Sequence, residues 1–135
     1  MTAVDQADLE TAIALARAAV GAAGDVPAEA LPVRRLDRDT SYVLVRLGRV
    51  GEPGWVAAVD PRTADVMTWA STLSGATTVP GVPPSSEDYE SELVWRPTAR
   101  SRSPLYPLRR MRTPRGDRYV DLAGAVRTSL SDTAG

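Results

Sequence analysis

Helical periodicity occurs in one segment of this chain, residues 5–23, whereas every later segment with regular patterning resembles a β-strand. In this segment Leu9, Ile13 and Val20 fall at helical spacing, and alanines widen the apolar stripe. Acids near its start and an arginine near its end suit the helix dipole. We therefore predict a helix over residues 5–23 that stops at Gly24 and lies closely on a sheet.

The rest of the chain alternates between short β-branched segments and turns rich in Gly and Pro. A proline-rich stretch, residues 73–91, divides these segments into two groups and predicts a long loop. We expect a single α+β domain, in which the N-terminal helix packs on a twisted antiparallel β-sheet made of two β-meanders, 30–72 and 92–130. The predicted strands are 30–38, 41–49, 54–60, 64–72, 92–97, 107–114, 117–123 and 125–130.

The hairpin GWVAAVDPRTADVMTW, residues 54–69, follows the pattern W-V-x-x-V-D-x-x-T-G-x-V. A helix followed by such a hairpin resembles the small cystatin-like domains of the PepSY and bacterial immunity-protein type, over residues 5–72. The resemblance implies a non-catalytic module that inhibits, chaperones or docks, and it transfers no catalytic residue. Ala64 and Asp65 stand where that pattern has its glycine. The matching residues are Trp55, Val56, Val59, Asp60, Thr63 and Val66.

The residue types that are missing restrict the possible chemistry. The chain has no cysteine and no histidine, and all 16 of its cations are arginines. Thiolate metal sites, a Schiff-base lysine and the commonest general base are therefore excluded. The carboxylates that are paired in sequence, Asp37 with Asp39 and Glu87 with Asp88 and Glu90, lie in polar turns or loops where they stay solvated, and the serines have no histidine or lysine to activate them. We expect no enzyme activity, no cofactor and no metal site.

Charge is distributed unevenly along the chain. Residues 1–94 carry seven arginines and fourteen acids, a net charge of −7, whereas residues 95–135 carry nine arginines and three acids, a net charge of +6. Guanidinium groups bind carboxylates and phosphates, and neighbouring aromatic rings offer stacking faces. The candidate partner-binding residues are Trp95, Arg96, Arg100, Arg102, Tyr106, Arg109, Arg110 and Arg112.

Three interpretations of these arginines stay open. They can form a solvated face that the chain's own acids balance, bind an acidic surface of another protein, or bind single-stranded nucleic acid. A pI near 5.4 counts against nucleic acid. An arginine-rich composition is also typical of a GC-rich genome, which lowers the information in each arginine.

The three tryptophans supply bulk to a core of Ala and Val. We expect at least two of them to pack under the helix. If one tryptophan is exposed, we expect it to be Trp95, which is followed by Arg96 and Pro97 and has the surroundings of an interface hot spot.

These patterns favour a small protein-binding or accessory module. The runner-up function is an immunity-type inhibitor of a toxin, and the third is nucleic-acid binding.

The N-terminus lacks the basic region of a signal peptide, and no apolar stretch reaches the length of a membrane span. We therefore expect a soluble, cytoplasmic protein that does not contact membranes and that can form a homo-oligomer through a sheet edge.

Overall fold

The structure is a computed structural model that describes residues 5–22, 24–37, 40–49, 53–72, 89–97, 103–121 and 126–127. These residues form one helix, α1, followed by eight strands. Most of the predicted 73–91 loop lies outside the described residues. The elements are α1 (Gln6–Val20), β1 (Ala28–Arg35), β2 (Ser41–Leu47), β3 (Gly54–Asp60), β4 (Asp65–Thr72), β5 (Ser91–Trp95), β6 (Leu108–Thr113), β7 (Gly116–Val120) and β8 (Val126–Arg127).

Helix α1 begins and ends with recognisable caps. The Asp5 side chain accepts a hydrogen bond from the Asp8 amide at 2.9 Å, and the Asp8 side chain accepts one from the Asp5 amide at 3.3 Å. The helix ends at Gly21, which has φ 72°, and not at Gly24 as predicted. Gly21 takes this left-handed conformation without the steric cost of a Cβ, so the first available glycine ends the helix.

The strands form a single eight-stranded sheet in the order β4-β3-β2-β1-β5-β6-β7-β8. All pairings are antiparallel except that of β1 with β5, which is parallel. The predicted α+β class, with a helix on a largely antiparallel sheet, is therefore confirmed. The finer cystatin-like assignment stays a prediction.

Helix α1 contacts β1, β2, β3 and β4, which form one half of the sheet. We call the side of the sheet on which it packs the helix face, and the opposite side the far face. The core of the helix face contains Ala12 and Ala16 of the helix against Val43, Val45 and Ala57 of the strands. Small alanines let the helix approach the sheet closely, as the alanines in its apolar stripe predicted.

The far face carries a second apolar cluster. It joins residues from both halves of the sheet, including Val33 and Tyr42 from the first half and Leu93 and Trp95 from the second. Leu105, in the segment between β5 and β6, also belongs to this cluster. The sheet is therefore buried on both faces where β1, β2 and β3 lie, which explains why β2 and β3 consist almost entirely of buried residues.

The turn between β3 and β4 explains the hairpin motif. One carboxylate oxygen of Asp60 accepts hydrogen bonds from the backbone amides of Arg62 and Thr63, at 3.0 and 3.4 Å. Ala64 then has φ 57°, a left-handed conformation in which glycine is usually preferred. The turn thus keeps the backbone that suits a glycine even though alanine occupies the position.

Helix α1, the one helix in the described part of the chain, is too short to cross a membrane.

We expect Ala64→Gly to stabilise the protein. Relief of the left-handed strain is worth about 1–2 kcal/mol, and the greater freedom of glycine in the unfolded chain offsets part of it. Denaturant unfolding should therefore give an increase of about 0.5–1 kcal/mol in the free energy of unfolding. Ala14→Gly, on the exposed side of α1, is the matched control and should cost about 1 kcal/mol. A loss of stability in both variants would contradict the strain at Ala64.

Candidate functional site

Trp95 lies where the two halves of the sheet meet. It is the last residue of β5 and is 4% exposed. Its ring meets the Tyr42 ring edge-on, with centroids 6.0 Å apart and planes at 88°. The Arg35 guanidinium carbon lies 5.0 Å from the centre of the Trp95 ring, in a cation–π contact.

The expectation that Trp95 is the exposed tryptophan is therefore wrong. Strand alternation turns its side chain towards the far face, where it joins the cluster around Val33. The expectation that two tryptophans pack under the helix is also wrong. Trp55 packs on the helix-face cluster, but Trp69 is 47% exposed on the terminal strand β4. A side chain shielded like that of Trp95 can organise a surface but does not supply direct partner contact.

Two polar contacts fix the surroundings of Trp95. Arg35 makes a two-bond ion pair with Asp37, at 2.8 and 3.1 Å, which holds the guanidinium over the ring. The Tyr42 hydroxyl donates a hydrogen bond to the carbonyl of Pro104 at 2.6 Å. That bond ties the segment before β6 to the far face of the sheet. Burial raises the pKa of Tyr42 well above its usual value, so the phenol stays neutral and remains a donor.

Strand alternation separates the predicted arginines. Arg109 pairs with Leu93 across β5 and β6, so it lies on the far face, where burial lowers its pKa and its guanidinium donates to the Ser91 hydroxyl at 3.2 Å. Arg110 pairs with Glu92 and lies on the helix face. The arginines of β6 therefore do not form one continuous patch.

The helix-face arginines line a groove on the half of the sheet that α1 does not contact. We call it the β5–β6 groove. It has a volume of about 400 Å³ and is open to solvent on one side. Its lining residues are Glu90, Ser91, Glu92, Arg110 and Arg112.

One carboxylate in this groove is shared by two guanidinium groups. Glu92 forms an ion pair with Arg110 and a longer one, at 3.8 Å, with Arg34 of β1. The Arg110 side chain is only 12% exposed, and its Nε is buried with no hydrogen-bond partner among the described residues. Two guanidinium groups therefore share one carboxylate here, and Arg110 keeps an unsatisfied donor, while Glu90 supplies a second carboxylate to the lining of the groove.

The remaining predicted residues are dispersed. Tyr106 packs against the far-face cluster, and the buried Nε of Arg96 also has no partner within the described ranges. Arg112 lines the groove, opposite Asp117 of β7. Arg100 and Arg102 lie outside the described residues.

Sequence reasoning missed Arg34 and Glu92. Arg34 is far from the arginine-rich segment in sequence, and the parallel pairing of β1 with β5 brings it near Glu92. In the sequence, Glu92 belongs to a short acidic stretch, residues 87–92, that precedes the arginines. Its position opposite Arg110 depends on the β5–β6 register.

Within the part of the chain that the structure describes, no three carboxylates come together as metal ligands. Comparison with protein-family models, with curated proteins and with solved structures finds no match to this chain. The arguments about function below therefore rest on the residues and their geometry.

Fluorescence quenching tests the positions of the three tryptophans. In variants that keep one tryptophan and carry Phe at the other two positions, we expect acrylamide to quench Trp69 most and Trp95 least, because they are 47% and 4% exposed. Far-UV circular dichroism of each variant controls for folding. Quenching of Trp95 as strong as that of Trp69 would restore the expectation of an exposed Trp95.

Tyr42→Phe should lower stability and change its dependence on pH. Loss of the hydrogen bond leaves the Pro104 carbonyl without its donor, at a cost of about 1–2 kcal/mol. Because the folded state raises the pKa of Tyr42, its phenol contributes fully below the unfolded pKa of roughly 10 and destabilises the fold as pH rises further. Denaturant unfolding from neutral to alkaline pH measures this effect. Wild type should lose the stability that ionisation of the Tyr42 phenol removes, whereas Tyr42→Phe should not lose it.

The control for this experiment is Tyr89→Phe, because that ring is 40% exposed. It should leave both the stability at neutral pH and the alkaline loss close to wild type. An identical alkaline loss in Tyr42→Phe and in wild type would show that Tyr42 does not cause it.

Proposed function

We propose that the protein is a small non-catalytic binding module that holds an acidic segment of a partner protein in the β5–β6 groove. The observation that carries this proposal is the buried Nε–H of Arg110, which has no partner among the described residues although Arg110 and Arg34 share the Glu92 carboxylate. A carboxylate from a partner would supply an acceptor for this guanidinium.

The site is also held in position before any partner arrives. Arg110 is mostly buried, and its ion pair with Glu92 restricts its side chain. A guanidinium that is already oriented loses less conformational entropy on binding than a mobile one. Arg112, at the exposed rim of the groove, lies opposite Asp117 in the β6–β7 register. Arg34 and Arg110, which share Glu92, are therefore the guanidinium groups best placed to receive a carboxylate from a partner.

The positions of the arginines and aromatic rings favour nucleic-acid binding less than the sequence composition did. Single-stranded nucleic acid needs a continuous track of cations beside exposed aromatic faces. Here Arg109 and Arg110 lie on opposite faces, and Trp95 is buried. Tyr119 is half-buried against Val94 and Leu108, so it offers little stacking surface.

Binding of defined probes tests the proposal. A fluorescently labelled oligoglutamate peptide should bind wild type more tightly than an oligoglutamine peptide does. Arg110→Gln should weaken oligoglutamate binding by about tenfold or more, because it removes a charge-assisted hydrogen bond. Glu92→Gln should strengthen it several-fold, since the competing carboxylate is lost. Fluorescence anisotropy measures both.

The matched control is Arg62→Gln, in the turn between β3 and β4, which removes the same charge away from the groove. It should leave oligoglutamate affinity near wild type. Equal losses in Arg62→Gln and Arg110→Gln would indicate only a general charge effect. Tighter binding of a single-stranded oligonucleotide, with a steep dependence on salt, would favour the nucleic-acid alternative instead.

A further inference from the structure

One edge of the sheet is the long strand β4, which has eight residues. The outer side of an edge strand presents backbone N–H and C=O groups that can pair with another strand. Within the described residues, no strand pairs with the outer side of β4.

The β4 edge lacks most of the features that prevent pairing. Proteins commonly protect long edges with charged residues, proline or bulges. From Val66 to Thr72 this strand has no charged residue and no proline. The bulge in its pairing with β3 lies near the start of the strand, so Thr68 to Thr72 are regularly paired and extended.

An exposed tryptophan lies in the middle of this edge. Trp69 is 47% exposed, and it pairs with Ala57, which belongs to the helix-face core. Trp69 therefore lies on the helix face of the terminal strand, with about half of its surface open to solvent. Partly exposed tryptophans are enriched at protein interfaces, where their large apolar surface becomes buried.

We propose that a second copy of this chain pairs with the outer edge of β4, so that two sheets join into one across a two-fold axis. This inference is independent of the proposed function, since it concerns the opposite end of the sheet from the β5–β6 groove. A two-fold axis makes the two β4 strands antiparallel and brings the central residues of each strand close to their own copies.

The composition of β4 suits pairing with its own copy. Pairing β4 with β4 joins two long, regularly paired edges. The centre of the strand, Thr68 to Ala70, is uncharged, so no like charges face each other across the axis.

Molar mass in solution provides the first test. Size-exclusion chromatography with light scattering should give the mass of a dimer for the full chain. Trp69→Lys should shift it to monomer, because it places two like charges beside the axis. Ala18→Lys, on the exposed side of α1, adds the same charge elsewhere and should stay a dimer. Circular dichroism should show that both variants are folded.

Cross-linking provides the second test, because the chain has no cysteine of its own. Single substitutions Thr68→Cys, Trp69→Cys and Ala70→Cys place a thiol at each central position of β4, and Thr11→Cys places one on the exposed side of α1. Directly opposite residues of an antiparallel pair are close enough for a disulfide. At least one of the three β4 variants, the one nearest the axis, should therefore oxidise to a covalent dimer much faster than Thr11→Cys.

A wild-type chain that is a monomer at every concentration measured would overturn the proposal. A dimer whose β4 variants cross-link no faster than Thr11→Cys would also overturn it, since the contact would then lie elsewhere. If Trp69→Lys stays a dimer, the cross-linking rates decide. Fast cross-linking through β4 supports the proposal, and cross-linking no faster than that of Thr11→Cys overturns it.

Discussion

The parallel pairing of β1 with β5 holds the two halves of the sheet together, and the rest of the architecture depends on it. The pairing is short, extending from Val33 opposite Leu93 to Arg35 opposite Trp95. A backbone hydrogen bond from Leu36 to the Trp95 carbonyl, at 2.8 Å, extends it by one step. Side chains reinforce this contact, because Trp95 packs between Tyr42 and the Arg35 guanidinium. Burial of the Trp95 ring, worth several kcal/mol for a large aromatic, therefore stabilises the joining of the two halves.

The same junction creates the candidate binding site. Arg34 belongs to the first half of the sheet, whereas Glu92 and Arg110 belong to the second, and they meet only because β1 and β5 are neighbours. Loss of the junction would separate Arg34 from Glu92 even if each meander kept its own fold. Stability at Trp95 and charge balance in the β5–β6 groove are thus linked through one strand pair, although the two features lie on opposite faces of the sheet.

The elements could be predicted from local patterns, but their arrangement could not. The single helix and the strands of both meanders follow from periodicity and turn residues, and β3 was predicted with its observed bounds, residues 54–60. The parallel pairing of β1 with β5 joins segments far apart in sequence, and no local pattern reports it. That pairing determines which face Trp95 occupies, so its burial was missed. The position of Arg34 beside Glu92 was missed for the same reason.

An arginine-rich segment in a strand is therefore a poor measure of the positive charge that a surface presents. Arg109 and Arg110 are adjacent in sequence, but their side chains lie on opposite faces of the sheet. On the helix face, Glu92 neutralises part of the charge and also holds Arg110 in place. In the proposed function, an acidic partner competes with Glu92 for the two guanidinium groups. This competition favours a partner that supplies a carboxylate at one defined position over a partner with diffuse negative charge.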